Sequence, residues 1–124
     1  MSKKILVIED EEDIRNYIMT LFEDHGYRSL GAGNGREGLE LAKKEAPDLI
    51  TLDISMPEQS GVKTLRELQN HPATSSVPVV IVTGVSDDLQ AYIQQRKQLK
   101  PPAGYVFKPV ERQELLETVQ RLLS

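Results

Sequence analysis

The chain contains no cysteine, which excludes both a disulfide framework and a site built on thiolate ligands. It has no apolar run long enough to span a bilayer, which argues against a membrane protein. Its two histidines, His25 and His71, lack the paired spacing of zinc ligands. Basic residues are not in excess, because the net charge is −4 and the isoelectric point is near 5.2. We therefore expect no direct binding of nucleic acid by this domain.

Internal repeats, low-complexity tracts and linkers are also missing, so we interpret residues 1–124 as a single domain. A chain of this length can bury a core without disulfide or metal staples. Its basic start, residues 1–4, leads into only four apolar residues, which predicts a strand and not a signal peptide. Without cysteine or a targeting segment, we expect a cytoplasmic protein.

Short apolar segments alternate with helical patterns along the whole chain. A segment near residues 27–32 is interrupted by Arg28, Ser29 and Gly31, and this weakly apolar character suits the edge of a sheet. The other segments are rich in β-branched residues and stop at a polar residue, which is typical of buried parallel strands. They are Ile5–Ile8 before Glu9 and Asp10, Leu49–Leu52 before Asp53, Val79–Val82 before Thr83, and Tyr105–Phe107 before Lys108.

The polar residues that follow these strands are expected to meet, because the carboxyl ends of parallel strands lie at one edge of an open α/β sheet. Carboxylate oxygens are the ligands that a hard cation such as Mg²⁺ prefers. The pattern therefore predicts a site for a divalent metal and a phosphoryl group. It would combine three carboxylates, a hydroxyl and an ammonium, from Glu9, Asp10, Asp53, Thr83 and Lys108.

Capping residues mark several helix ends. Asn34 can cap the second helix, with Glu37 three residues later as in a capping box, and Ser60 can cap the third. A fourth helix, over residues 86–99, must end before the proline pair at positions 101 and 102, because proline disfavours helix at the preceding residue.

In order along the chain, these residues resemble the receiver domains of two-component response regulators. The resemblance implies a flavodoxin-like, doubly wound (βα)5 sandwich whose five-stranded parallel sheet has the order 2-1-3-4-5. In that order the weak second strand is an edge strand. The matching marks are Glu9-Asp10, Asp53, Met56-Pro57 with Gly61, Thr83 and Lys108-Pro109.

The resemblance also implies roles for individual residues. Asp53 would be the phosphoacceptor, and Lys108 and Thr83 would contact the phosphoryl group. The cofactor would be Mg²⁺, held by the carboxylates of Asp10 and Asp53 and by the backbone carbonyl of Ser55.

In addition, Glu9 would hold a metal-bound water, and Thr83 and Tyr105 would form a switch. A cis peptide bond between Lys108 and Pro109 is a habit of the family, and we expect it here. Such a domain is not an enzyme in the usual sense, because it catalyses only its own phosphorylation and dephosphorylation.

The implied partners are a sensor histidine kinase or phosphotransfer protein and a downstream effector or covalently linked output domain. The effector would read the face made by the fourth helix, the fifth strand and the fifth helix. The connection from Arg96 to Gly104 is longer and richer in proline than is usual in the family, and we expect it to shape partner choice. Gln59 and Ser60 also depart from the family, which commonly places an apolar residue and Asp before Gly61.

Three other classes of protein share part of this pattern. A pseudo-receiver would use the same fold only to dock proteins. A Mg²⁺-dependent aspartyl phosphohydrolase would need an acid two residues after its nucleophile, where this chain has Ser55. A flavodoxin would need a phosphate-binding loop after the first strand, but Glu9–Asp13 is acidic there.

Overall fold

A computed structural model describes residues 2–54, 60–84 and 100–124. The predictions for Ser55 and for a helix over residues 86–99 lie outside these ranges. None of the helices within them is both long and apolar enough to cross a membrane. The elements are β1 (Lys4–Ile8), α1 (Glu12–Asp24), β2 (Arg28–Ala32), α2 (Gly35–Glu45), β3 (Leu49–Leu52), α3 (Ser60–Asn70), β4 (Val79–Thr83), β5 (Gly104–Phe107) and a C-terminal helix (Arg112–Leu123).

All five strands are parallel and have the order β2-β1-β3-β4-β5, which confirms the predicted topology. The carboxyl ends of β1, β2 and β3 are level, because Ile8 lies opposite both Ala32 and Leu52. The hydrogen bonding continues just beyond the strands, where Asp53 N donates to Ile8 O at 3.0 Å. The residue that follows β3 is thus fixed beside the end of β1.

The sheet is covered on both faces, which explains why its strands are apolar almost throughout. Leu6 and Ile8 pack into the core beneath α2 and α3, whereas Ile5 and Val7 pack into the core beneath α1 and the C-terminal helix. β2 is an edge strand, as predicted, and its first residue, Arg28, is exposed. Among the described residues, the strand residues of β1, β3 and β4 are almost all buried beneath these helices.

The local signals for helix ends are largely confirmed. The Asn34 side chain accepts a hydrogen bond from Glu37 N at 2.8 Å and caps α2. α1 ends just before Gly26, whose φ of +88° is accessible to glycine at little cost. α3 begins at Ser60 itself, one residue earlier than capping by Ser60 would place it, an offset within the usual variation of helix ends.

The end of the proline-bearing connection is attached to α3. Gln69 Nε2 donates to Lys100 O at 2.8 Å, and Lys100 N donates to Gln69 Oε1 at 3.0 Å. Ala103 N then donates to Val79 O at 2.8 Å, where the chain enters the sheet beside β4. The residues just before β5 are therefore hydrogen-bonded to α3 through Lys100 and to β4 through Ala103.

Gly61 provides a test of how closely α3 packs on the chain beyond β3. A Cβ at this position would overlap with Ile54 Cα and would lie 2.9 Å from Asp53 O. Because these are backbone atoms, they cannot move aside as a flexible side chain can. We expect Gly61→Ala to lower the free energy of unfolding by about 1–3 kcal/mol, which is typical of overpacking. Urea denaturation followed by circular dichroism measures this change.

Gly84→Ala is the matched control, since no described atom lies within 4 Å of the Cβ that it would add. Equal stability of the two variants would contradict the close contact between α3 and the residues after β3.

Candidate functional site

The three predicted carboxylates come together at the carboxyl edge of the sheet. Glu9 and Asp10 directly follow β1, and Asp53 directly follows the adjacent strand β3. One carboxylate oxygen from each residue lies within 4.8 Å of the others. Glu9 and Asp53 are buried, whereas Asp10 is exposed, so the cluster opens to solvent on the side of Asp10. A compact set of oxygen donors of this kind suits a hard divalent cation.

Lys108 reaches the same cluster from the end of β5. Its Nζ lies 2.9 Å from Glu9 Oε1 and 3.2 Å from Asp53 Oδ2. The Lys108 side chain is only 17% exposed, so its single positive charge is shared by the two buried carboxylates away from bulk water. The Lys108–Pro109 peptide is cis, as expected from the resemblance.

Burial and their mutual contact shift the pKa values of Glu9 and Lys108. Desolvation raises the pKa of Glu9 to about 7, although hydrogen bonds from Lys108 and from Glu11 N oppose the shift. Desolvation alone would lower the pKa of Lys108. The hydrogen bond to Glu9 and the charges of Asp53 and Glu9 outweigh it, and the net shift of the Lys108 pKa is upward. The lysine is therefore held in its charged form by the carboxylates it contacts.

Thr83 completes the predicted set at the end of β4, between the strands that carry Asp53 and Lys108. It is fully buried, and its backbone oxygen accepts a hydrogen bond from Lys108 N at 2.8 Å. The neighbouring Gly84 leaves space, because no described atom lies within 4 Å of where its Cβ would be. The sheet thus places a hydroxyl-bearing residue and an open position between the nucleophile candidate and the ammonium.

Tyr105 lies on the same face of the sheet as Thr83. Thr83 pairs with Phe107 and Ile81 pairs with Tyr105, and alternate residues of a strand share a face. The Tyr105 ring is half-buried and lies parallel to the Phe107 ring, with centroids 6.2 Å apart. Its hydroxyl is buried and has no hydrogen-bond partner among the described residues, and burial raises the pKa of Tyr105.

Sequence reasoning missed one residue that contacts this site. Arg15 Nη1, on α1, donates to Glu9 O at 2.9 Å. In the sequence this arginine is one polar residue among several on an amphipathic helix. A partial signal was present in Gly31, which interrupts the second strand and leaves room for the arginine.

A doubly wound parallel sheet, with an acidic cluster, a threonine and a lysine at its carboxyl edge, defines the class of flavodoxin-like domains with an oxygen-rich site at the strand ends. Within that class, the chain belongs to the response regulator receiver domain family, whose family model matches residues 5–120. Members of this family are signalling switches and generally bind Mg²⁺ at an acidic pocket.

Relatives of two kinds share this domain. The chain is 32% identical to Protein PilH of Pseudomonas aeruginosa over 98% of both sequences. It is 30% identical to the polar-differentiation response regulator DivK of Brucella anthropi, over 100% of this chain and 98% of DivK. It is also 35% identical to the regulatory protein AtoC of Escherichia coli, but 98% of this chain covers only 25% of AtoC. The domain therefore matches two relatives over nearly their full length, and it matches a third, much longer protein over only one part.

Solved structures agree with the fold. The chemotaxis response regulator CheY4 of Vibrio cholerae superimposes with a TM-score of 0.86 at 27% identity, over 99% of this chain and 100% of that one. A response regulator receiver domain protein from Clostridium thermocellum superimposes with a TM-score of 0.84 at 31% identity, over 98% and 94% of the two chains.

The pKa of Glu9 predicts a pH dependence of stability in metal-free protein. In the unfolded chain this carboxyl titrates near 4.5, and in the folded state near 7. Its contribution to stability is thus fully present below about pH 4.5 and is lost as pH rises through about 7. Between pH 5 and pH 8, wild type should lose roughly 1–3 kcal/mol relative to Glu9→Gln, which cannot ionise. Urea unfolding of both proteins in EDTA measures the difference.

Glu117→Gln makes the same chemical change at an exposed position of the C-terminal helix and should show no such pH-dependent difference. Parallel pH profiles for wild type and Glu9→Gln would contradict the assigned cause.

Proposed function

We propose that the domain is a phosphorylation-activated switch of two-component signalling, with Asp53 as the residue that accepts the phosphoryl group. The donor is a phosphohistidine on a sensor histidine kinase or phosphotransfer protein. The observation that carries the proposal is the contact of the Lys108 ammonium with the buried Asp53 carboxylate, at 3.2 Å, beside Thr83 at the end of the next strand. This arrangement combines a nucleophile with a fixed positive charge.

The transfer requires only a positioned nucleophile and neutralisation of charge. An Asp53 carboxylate oxygen attacks phosphorus and forms a P–O bond, while the P–N bond to the donor imidazole breaks. The imidazole nitrogen keeps the electron pair and takes a proton from solvent. The Lys108 ammonium turns from the carboxylates to a phosphoryl oxygen, and the Thr83 hydroxyl donates to another. Because Asp53 is buried, these contacts act where water screens them little.

The acidic cluster fits Mg²⁺, since its carboxylate oxygens are close together and one side is open. In this proposal Asp10 and Asp53 bind the ion directly and Glu9 binds it through water, with the Ser55 carbonyl retained from the family resemblance. Bound Mg²⁺ supplies positive charge that offsets the phosphoryl oxygens. It also relieves the repulsion among the three carboxylates.

The signal is proposed to reach the surface through Thr83 and Tyr105, which share a face of the sheet. When the Thr83 side chain moves toward the phosphoryl group, it vacates space on that face, and Tyr105 rotates into it. The Tyr105 hydroxyl is buried without a hydrogen-bond partner among the described residues. Tyr105 thereby couples the site to the surface of β5 and the C-terminal helix, which the predicted fourth helix, outside the described ranges, would complete.

The proposed reader of this face is a separate effector protein or an output domain on the same chain. The match to nearly all of PilH and DivK supports the first arrangement, and the match to a quarter of AtoC supports the second. The segment from Arg96 to Gly104, of which only residues 100–104 are described, is proposed to shape partner choice without affecting the chemistry. The family usually works in the cytoplasm, and we place this domain there, without contact to membrane or nucleic acid.

Phosphorylation should depend on Asp53 and on magnesium. We expect acetyl phosphate with Mg²⁺ to add one phosphoryl group to wild type, seen as a mass shift in intact-protein mass spectrometry. Asp53→Asn should lose the shift entirely because it removes the nucleophile. Asp10→Asn, or EDTA in place of Mg²⁺, should slow labelling by roughly tenfold or more, the usual effect of weakening a metal site.

Asp48→Asn is the matched control, because Asp48 precedes the same strand at its opposite end and binds Lys4 N at 2.8 Å. Labelling of Asp53→Asn at the wild-type rate would refute the assignment. A wild type that takes up no phosphoryl group would instead favour a pseudo-receiver.

The switch should respond to a phosphoryl mimic. We expect beryllofluoride with Mg²⁺ to shift NMR resonances of Thr83, of Tyr105 and of residues 86–99, because the mimic places acceptor atoms beside Asp53. In Tyr105→Ala, the shifts near Asp53 should persist and those of residues 86–99 should shrink. This route is wrong if, in wild type, the resonances of residues around Asp53 shift while those of Tyr105 and residues 86–99 do not.

A further inference from the structure

The peptide group that joins Glu9 to Asp10 is held from α1 by Arg15. Its carbonyl oxygen accepts a hydrogen bond from Arg15 Nη1 at 2.9 Å. The amide of Glu9 donates on its other side to Ala32 O at 3.0 Å. Both backbone polar groups of Glu9 are therefore fixed, one by a guanidinium and the other by the neighbouring strand.

Two glycines leave the space through which the arginine reaches this carbonyl. A Cβ at Gly31 would lie 3.2 Å from Arg15 Cδ and 2.7 Å from Met19 Sδ, and one at Gly33 would lie 3.4 Å from Arg15 Nη1. Neither glycine has a positive φ, so backbone conformation does not require them. Packing favours glycine at position 31, because a Cβ there would press on Met19 and on the stem of Arg15, whereas at Gly33 it would make an ordinary van der Waals contact.

The fixed peptide determines where Asp10 can place its carboxylate. Asp10 is exposed, and within the described ranges its side chain makes no hydrogen bond or ion pair. No contact with a described residue fixes its rotamer, so the backbone sets the position of its Cβ and thereby the region that the carboxylate can reach. The Glu9 carbonyl and the Asp10 nitrogen belong to one planar group, so the bond from Arg15 orients both.

We propose that Arg15 is a positioning residue for divalent-cation binding. It holds the Glu9–Asp10 peptide so that the Asp10 carboxylate stays beside those of Glu9 and Asp53. The inference rests on the proposed function, because the cation is the one that phosphoryl transfer uses. Arg15 itself touches neither the cation nor the phosphoryl group.

The direction in which loss of Arg15 changes the cation dissociation constant distinguishes positioning from electrostatic repulsion. A guanidinium near a cation site repels the cation, so its removal would strengthen binding if charge alone mattered. If Arg15 positions Asp10, its removal weakens binding despite the loss of a repelling charge. The two roles therefore predict opposite shifts in the dissociation constant.

The experiment is calorimetric titration of the full chain with magnesium chloride, without any phosphoryl donor. We expect Arg15→Ala to raise the dissociation constant roughly tenfold, the lower end of what loss of a ligand-orienting residue costs. Arg15→Lys keeps the charge but loses the forked geometry, and it should fall between wild type and Arg15→Ala. Arg28→Ala is the matched control, because this arginine is exposed and begins β2, at the end of the strands opposite the site.

Melting temperatures in EDTA distinguish a purely structural role, which would lower stability and leave the magnesium dissociation constant of the folded protein unchanged. Gly31→Ala is a second variant, useful if Arg15→Ala does not fold, and it should also weaken binding by displacing the arginine. Unchanged or tighter binding in the Arg15 variants overturns the inference and leaves the proposed function standing. A wild type that binds no magnesium would overturn the proposed function itself.

Discussion

The site depends on one long side chain that spans several strands. Asp53 and Glu9 follow β3 and β1, whereas Lys108 follows β5, two and three positions away in the sheet. Neighbouring strands are about 4.8 Å apart, so backbone atoms alone could not close this distance. The lysine must cross the end of β4, and it is here that Gly84 leaves open space. The order of the strands and the length of the lysine side chain are thus both conditions for the two ion pairs of Lys108.

Burial of the carboxylates makes the metal-free site costly to fold, and the contacts with Lys108 offset part of that cost. Two carboxylates are buried at the sheet edge, and they share the Lys108 ammonium. The same burial raises the pKa of Glu9 to about 7, so this carboxyl keeps its proton up to near neutral pH. Sites that bind a charged ligand commonly keep such a local conflict, because the ligand resolves it.

Most of the fold and the main site residues could be predicted, because they depend on local pattern and on one topological rule. Apolar runs that end at Asp53, Thr83 and Lys108 identify strands, and parallel strands bring their ends together. Other features depend on distances between elements that no local pattern contains. The hydrogen bond from Arg15 requires α1 to lie close to β2, and the direct contact of Glu9 with Lys108 requires the finished sheet.

The hydrogen bonds between Gln69 and Lys100 affect how the sequence of such a domain can change in evolution. Its two hydrogen bonds to Lys100 fix the point at which the chain returns toward the sheet, just as the end of β4 fixes the point at which it leaves. Closing a loop between two fixed ends costs little more when the loop grows, since the entropy depends only weakly on length. Insertions and deletions between these anchors therefore need not move Lys108. The sequence and length of this segment can therefore change in evolution while Asp53 and Lys108 keep the same surroundings.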